Sequence, residues 1–142
     1  MSRYILFRGK TRKGEWVYGD LIQATEDKAC LIAYIDNKYK YNYRDVSPET
    51  VGQFTGLTDK NGKKIFEGDI VVTRYSNGEI CSIGDVQFDY GVFGAEWTAH
   101  KKHKTMVGVW GQLHNLRRFD DDTINHVEVI GNIHDNPELL GE

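Results

Sequence analysis

The first residues to examine for chemistry are the histidines, since imidazole is a common metal ligand and general base. His100 and His103 have a His-x-x-His spacing, which can bring two imidazoles to one metal ion. Three lysines, Lys101, Lys102 and Lys104, surround this pair, and their positive charges repel a cation. No cysteine lies nearby to complete a structural zinc set. The pattern therefore favours a basic loop without a bound metal.

The two cysteines, Cys30 and Cys81, are isolated in the sequence. Cys30 lies in the apolar run 29–33, which is typical of a buried and unreactive thiol. Two such thiols do not form the spaced pattern of a secreted disulfide framework. The sequence also contains no Gly-rich phosphate loop and no serine in a nucleophile motif. We therefore expect a protein that is not an enzyme, with no catalytic residue and no cofactor.

A repeated segment supplies two candidate acids. Residues 14–22 and 62–71 share an order of residue types, with Glu67 as one extra residue in the second copy. The shared order is Gly, two variable residues, an aliphatic residue, an aromatic residue, Gly-Asp and two aliphatic residues. An active-site hypothesis would pair the carboxylates of Asp20 and Asp69. We favour the alternative that each Gly-Asp forms a bulge, in which the carboxylate accepts backbone N–H bonds.

A basic and aromatic segment is the first candidate for a binding site. It spans 97–104 and contains Trp97, His100, Lys101, Lys102, His103 and Lys104. Single-stranded nucleic acid binds such a combination, because phosphates contact the cations while bases stack on the rings. The alternative is a solvated loop whose tryptophan belongs to the core. The net charge of −3 and the shortness of the basic cluster favour that alternative.

A stripe of tyrosines is the second candidate for a binding site. Tyr39, Tyr41 and Tyr43 alternate with polar residues, and a period of two places the three rings on one face of a strand. Tyrosine is favoured where a surface is partly apolar and partly wet. The stripe therefore indicates contact with a protein, either a partner or another copy in a homo-oligomer. The alternative is that the rings pack onto the domain's own core.

The elements that position these residues are predicted to be β-strands. Aromatic residues make up 12% of the 142 residues, with 15 Gly and 2 Pro, a composition that favours short strands and tight turns. In the second strand we expect Trp16, Tyr18 and Ile22 to face inward. Strands are predicted at 4–8, 15–23, 28–35, 39–43, 51–57, 65–75, 79–88, 92–97 and 125–133, with a helical turn at 136–140.

Hairpin turns at 59–62, 76–78 and 89–91 make the second half an antiparallel meander, the arrangement from which small barrels are built. The predicted fold is mainly β, a small antiparallel barrel with additional strands and a short C-terminal helical turn. We expect one domain, 1–142, divisible at 49/50. We expect no signal peptide, and no apolar stretch approaches 18 residues, so we also expect a cytoplasmic protein without a membrane contact.

Three blocks of the sequence resemble the YopX family, in the same order as in that family. They are 7–10 with 14–21, 50–71, and 127–140. YopX-like proteins occur mainly in bacteriophages and prophage regions and have no established activity, and they resemble SH3-like barrels in part of the chain. The resemblance implies an accessory protein whose partner is a phage or host protein or the chain itself. It supplies no catalytic residue, and nucleic-acid binding through 97–104 is the alternative function.

Overall fold

The computed structural model describes residues 4–23, 29–99, 109–113 and 126–141. These residues form two antiparallel sheets of six and five strands and two 3-10 turns, without an α-helix in the described part of the chain. The prediction of a mainly β fold is confirmed. The prediction of a closed barrel is wrong for the described ranges, because the strand ladders form two open rows whose end strands do not pair with each other. The likeness to SH3-like proteins stays a prediction.

The strands are β1 (Phe7–Lys10), β2 (Trp16–Gln23), β3 (Cys30–Ile35), β4 (Tyr41–Val46), β5 (Gly52–Thr58), β6 (Lys64–Phe66), β7 (Asp69–Arg74), β8 (Ile80–Asp89), β9 (Val92–Ala99), β10 (Val109–Gln112) and β11 (Glu128–Asn132). The six-stranded sheet has the order β4-β3-β2-β1-β5-β6, and the five-stranded sheet has the order β10-β9-β8-β7-β11. The 3-10 turns are Pro48–Thr50 and Pro137–Leu139. The second of these confirms the predicted helical turn, with Pro137 at its first position.

The chain divides into two compact units, Met1–Phe54 and Thr55–Glu142. In the first unit, one face of the sheet carries a core cluster, because alternate residues of a strand point to opposite faces. Its buried members are Val17, Cys30, Ile32 and Val46, with Phe7, Leu21 and Val51 packed against them. The prediction that Tyr18 and Ile22 face inward is wrong, since Val17 and Leu21 occupy the inward positions and the other two are exposed.

In the second unit, both faces of β7 are buried. Val71 belongs to one hydrophobic cluster, while Ile70 and Val72 belong to another. The first cluster includes Trp97 and Val129, and partly buried residues of the C-terminal segment, such as Leu139, pack against the second. No helix among the described residues is long and apolar enough to cross a membrane.

Candidate interaction surface

Five large side chains lie on one face of β2, β3 and β4 in the first unit, and we name this surface the tyrosine face. The strand register establishes it, because directly opposed residues of antiparallel strands share a face. Ile35 is opposite Tyr41, and Ala33 is opposite Tyr43. Ala33 is also opposite Asp20 on the neighbouring strand β2. Tyr18 and Ile22, two positions before and after Asp20, share the face of Asp20. The members of the tyrosine face are Tyr18, Ile22, Ile35, Tyr41 and Tyr43.

The tyrosine face is open, whereas the opposite face of the same strands carries the core cluster. The rings of Tyr41 and Tyr43 are stacked, with centroids 6.4 Å apart. Adjacent exposed apolar side chains in this number mark interaction sites, whereas singly exposed ones need no explanation. The exposed fractions are 48% for Tyr18, 44% for Ile22, 54% for Ile35, 65% for Tyr41 and 59% for Tyr43.

Tyr39 does not continue the stripe, because it lies in the β3–β4 turn with a φ of 59° and an exposed fraction of 90%. The Asp36 carboxylate organises this turn. It accepts hydrogen bonds from the Asn42 amide at 3.0 Å and from the backbone N–H groups of Lys38 at 2.8 Å and Lys40 at 3.1 Å. These bonds, chiefly the one from Asn42, hold the pKa of Asp36 below its ordinary value. The predicted alignment of rings therefore holds for Tyr41 and Tyr43 alone.

Two carboxylates lie among the apolar side chains of the tyrosine face. Asp20 belongs to the cross-strand row that contains Ala33 and Tyr43, and Asp45 belongs to the next row, opposite Leu31. Both are exposed. Neither makes a side-chain hydrogen bond or ion pair with another described residue. The face therefore combines apolar area with two carboxylates that form no ion pair within the described part of the chain.

Two cations lie on the same side of the sheet as the tyrosine face, since Arg8 and Lys10 of β1 are directly opposite Tyr18 and Trp16 of β2. The Arg8 guanidinium lies 4.7 Å from the centre of the Trp16 ring, and the Lys10 ammonium lies 6.0 Å from it. Arg44 points to the opposite face of β4 and donates to the Glu15 carboxylate at 3.0 Å. This hydrogen bond is the main reason why the pKa of Arg44 is raised.

The second Gly-Asp segment is a structural element. Asp69 is 2% exposed, and its Oδ2 accepts a hydrogen bond from the Phe66 backbone N–H at 2.7 Å. Gly68 has a φ of 93°, and this turn divides the predicted strand 65–75 into β6 and β7. Backbone N–H bonding is thus confirmed for Asp69. The same prediction is wrong for Asp20, which is exposed within the regular register of β2.

Asp59 is a second buried carboxylate, with an exposed fraction of 1%. Its Oδ1 accepts from the backbone N–H groups of Asn61 and Lys63, and its Oδ2 accepts from Val129, each at 2.9 Å. The carboxylate closes the β5–β6 hairpin and attaches it to β11. The sequence indicates the turn at 59–62, but nothing in it indicates the bond to a strand that begins about seventy residues later.

The predicted binding segment 97–104 is described in part. Trp97 is 8% exposed and belongs to the core of the second unit. His100, Lys101, Lys102, His103 and Lys104 lie outside the described residues. The structure therefore places one member of the predicted set, and it buries the ring that would have stacked on a base.

Two acidic side chains that no sequence motif connects lie side by side at a shallow cavity in the second unit. Asp85 of β8 lies directly opposite Glu96 of β9, and the Gln87 amide donates to both carboxylates, at 3.0 and 3.3 Å. The cavity has a volume of about 170 Å³, and Ile83, Leu139 and Leu140 supply its apolar lining. In the described ranges, no three His, Cys, Asp or Glu side chains are grouped to hold a metal ion.

The fold and the surface together define a mainly β protein of two antiparallel sheets, with an open aromatic face and buried structural carboxylates. The chain belongs to the YopX family, since the YopX protein family matches residues 6–141. It is similar to a solved structure, the crystal structure of protein EF1440 from Enterococcus faecalis. The two share 26% sequence identity with a TM-score of 0.53, over 98% of this chain and 99% of that chain. No curated protein matches the chain.

Proposed function

We propose that this chain is a non-enzymatic accessory protein of phage or prophage biology that binds another protein through the tyrosine face. The observation that carries the proposal is the exposure of five neighbouring aromatic and aliphatic side chains on one side of a regular sheet. Tyrosine and other aromatic residues are enriched in the buried parts of protein interfaces. The association with phages rests on the resemblance to YopX-like proteins.

The buried acids support the non-enzymatic part of the proposal. Catalytic carboxylates need an oxygen that can reach a substrate. Backbone N–H groups instead occupy both oxygens of Asp59, and one of them occupies Oδ2 of Asp69. These two side chains therefore contribute to folding.

Quantitative affinity capture tests the proposal. The full chain, a Tyr41→Ser/Tyr43→Ser variant and a Phe88→Ser/Tyr90→Ser control would each be used as bait in phage-infected host cells. The control also removes two exposed rings, since Phe88 and Tyr90 are 54% and 82% exposed, but it leaves the tyrosine face intact. We expect one or a few proteins to be retained by the full chain and the control and to be lost by at least tenfold with the first variant.

Two outcomes would contradict the proposal. One is a set of captured proteins that is identical for all three baits. The other is recovery of nucleic acid alone, bound in a manner that weakens steeply with salt. The second outcome would favour the basic segment 97–104 as the binding site.

A further inference from the structure

We infer that the partner of the tyrosine face presents arginine or lysine side chains among apolar ones, so that its cations reach Asp20 and Asp45. The inference rests on the proposed function and specifies the chemistry of the partner. It follows from the position of the two carboxylates in the same cross-strand rows as the apolar side chains, with Asp20 in the middle of β2 and Asp45 on the edge strand β4.

The cost of covering the two carboxylates determines which partners are admissible. Asp20 and Asp45 are exposed and stand in neighbouring cross-strand rows with Tyr43 and Leu31. A partner that covers the rings also removes water from these carboxylates, and an ionised carboxylate that loses water without gaining a cation is strongly destabilised. An apolar or acidic surface is therefore rejected, whereas a surface with correctly placed cations is accepted.

The side chains around the carboxylates favour arginine in particular. Ala33 is small and buried, and it lies between Asp20 and Tyr43 in one row. A guanidinium placed over Ala33 can pair with the Asp20 carboxylate and stack on the Tyr43 ring, because its planar group forms both kinds of contact.

The same charges argue against a second copy of the chain as the occupant. Two tyrosine faces packed against each other would enclose four carboxylates, two from each copy. Arg8 and Lys10 share the face but lie against the Trp16 ring of their own chain, and Arg44 is paired with Glu15 on the opposite face. These three cations are therefore already engaged and are poorly placed to compensate the aspartates of a second copy.

Two synthetic peptides test the inference directly, with the full-length protein in both cases. The probes are acetyl-Leu-Arg-Leu-Arg-Leu-Arg-Leu-amide and its counterpart with Glu in place of Arg. Binding of each peptide is measured from the amide chemical shifts of the protein in NMR titrations. We expect the Arg peptide to shift amides of β2, β3 and β4 and to bind at least tenfold more tightly than the Glu peptide. Asp20→Asn/Asp45→Asn should weaken Arg-peptide binding at least tenfold.

The matched control is Glu49→Gln/Glu138→Gln, which removes the same charge from two exposed positions outside the face and should leave the affinity unchanged. Equal affinity for both peptides, or equal loss in the control, overturns the inference but leaves the proposed function standing, since the face still binds. Absence of any shift in β2, β3 and β4 overturns the inference, and affinity capture then decides the proposed function alone. Self-association that Tyr41→Ser/Tyr43→Ser abolishes would identify a second copy as the occupant and overturn the inference.

Discussion

Two pairs of aspartates, one pair in each compact unit, have opposite roles. In the second unit, Asp59 and Asp69 are almost fully buried, and their oxygens accept backbone N–H bonds. In the first unit, Asp20 and Asp45 stand exposed on a sheet face beside aromatic rings. The glycines before the two repeated aspartates differ in the same way. Gly68 supplies a positive φ, whereas Gly19 is required because strand β3 approaches it closely.

This difference shows that a short repeated motif does not determine the role of its residues. The carboxylate of a Gly-Asp pair becomes structural where the chain turns back on itself and N–H groups point toward the side chain, as they do at Phe66. Within a regular strand, the backbone partners are supplied by the neighbouring strands, and the same side chain remains available to a ligand. We expect substitutions to separate the two roles.

The largest effect is expected from Asp59→Ala. Removal of the carboxylate leaves three backbone N–H groups without their acceptor, and the one from Val129 is buried. We expect a loss of about 4 kcal/mol in the free energy of unfolding, since each unsatisfied buried donor costs about 1–3 kcal/mol. Urea denaturation measures the loss. Amide hydrogen exchange should locate it at β11, and unchanged exchange of the Val129 amide would refute the assigned role.

The next effect is expected from Gly19→Ala in the first unit. A Cβ at this position would overlap the backbone carbonyl oxygen of Ala33, so that β2 and β3 must move apart. Overpacking of this kind costs about 3 kcal/mol. A loss of less than about 1 kcal/mol in urea denaturation would show that the strands do not approach each other as closely as described.

A smaller effect is expected from Asp69→Ala, which removes the acceptor of the Phe66 N–H. We expect a loss of about 2 kcal/mol, because one buried donor is left unsatisfied. The matched substitution Asp20→Ala should change the stability by less than about 0.5 kcal/mol, as is usual for exposed positions. Equal losses for the two variants in urea denaturation would remove the distinction between a structural and an available carboxylate.

The smallest effect concerns the pH dependence of stability. The pKa of Glu128 lies below its ordinary value of 4.5, chiefly because the Arg74 guanidinium donates to it at 2.8 Å. Since the pKa is depressed in the folded state, this contribution is present above pH 4.5 and is lost as the pH falls through the folded-state pKa. Glu128 is partly exposed, so we expect less than about 1 kcal/mol. Glu128→Gln should flatten the acid limb of the stability profile, and an unchanged slope below pH 4.5 would contradict this account.

Much of the fold is predictable because strands and turns depend on local patterns. The Asn-Gly turns appear where expected, with positive φ at Gly62 and Gly78. The predicted strand 65–75 is interrupted at Gly68, since a glycine within an apolar run does not reveal whether the chain turns there. Which face of β2 is buried was also mispredicted, because Val17 and Tyr18 are both compatible with a core and only the packing of the neighbouring strands distinguishes them.

Less of the candidate surface is predictable. The alternation of Tyr41 and Tyr43 predicts a shared face, but whether that face is open depends on what the rest of the chain covers. Ile35 joins the surface only through the register of β3 with β4. Asp59 attaches its turn to β11 through a bond between residues that are distant in sequence, and no local pattern indicates such a bond.

Site-specific photo-crosslinking is the most direct test of the claim that the tyrosine face binds a partner protein. A benzophenone amino acid would replace Tyr41 in one protein and Tyr90 in another, and each would be irradiated in phage-infected cells that produce it. The account predicts a discrete crosslinked band from position 41, containing this chain and one partner, and no such band from position 90. The same crosslinks from both positions, or none from position 41, would contradict it.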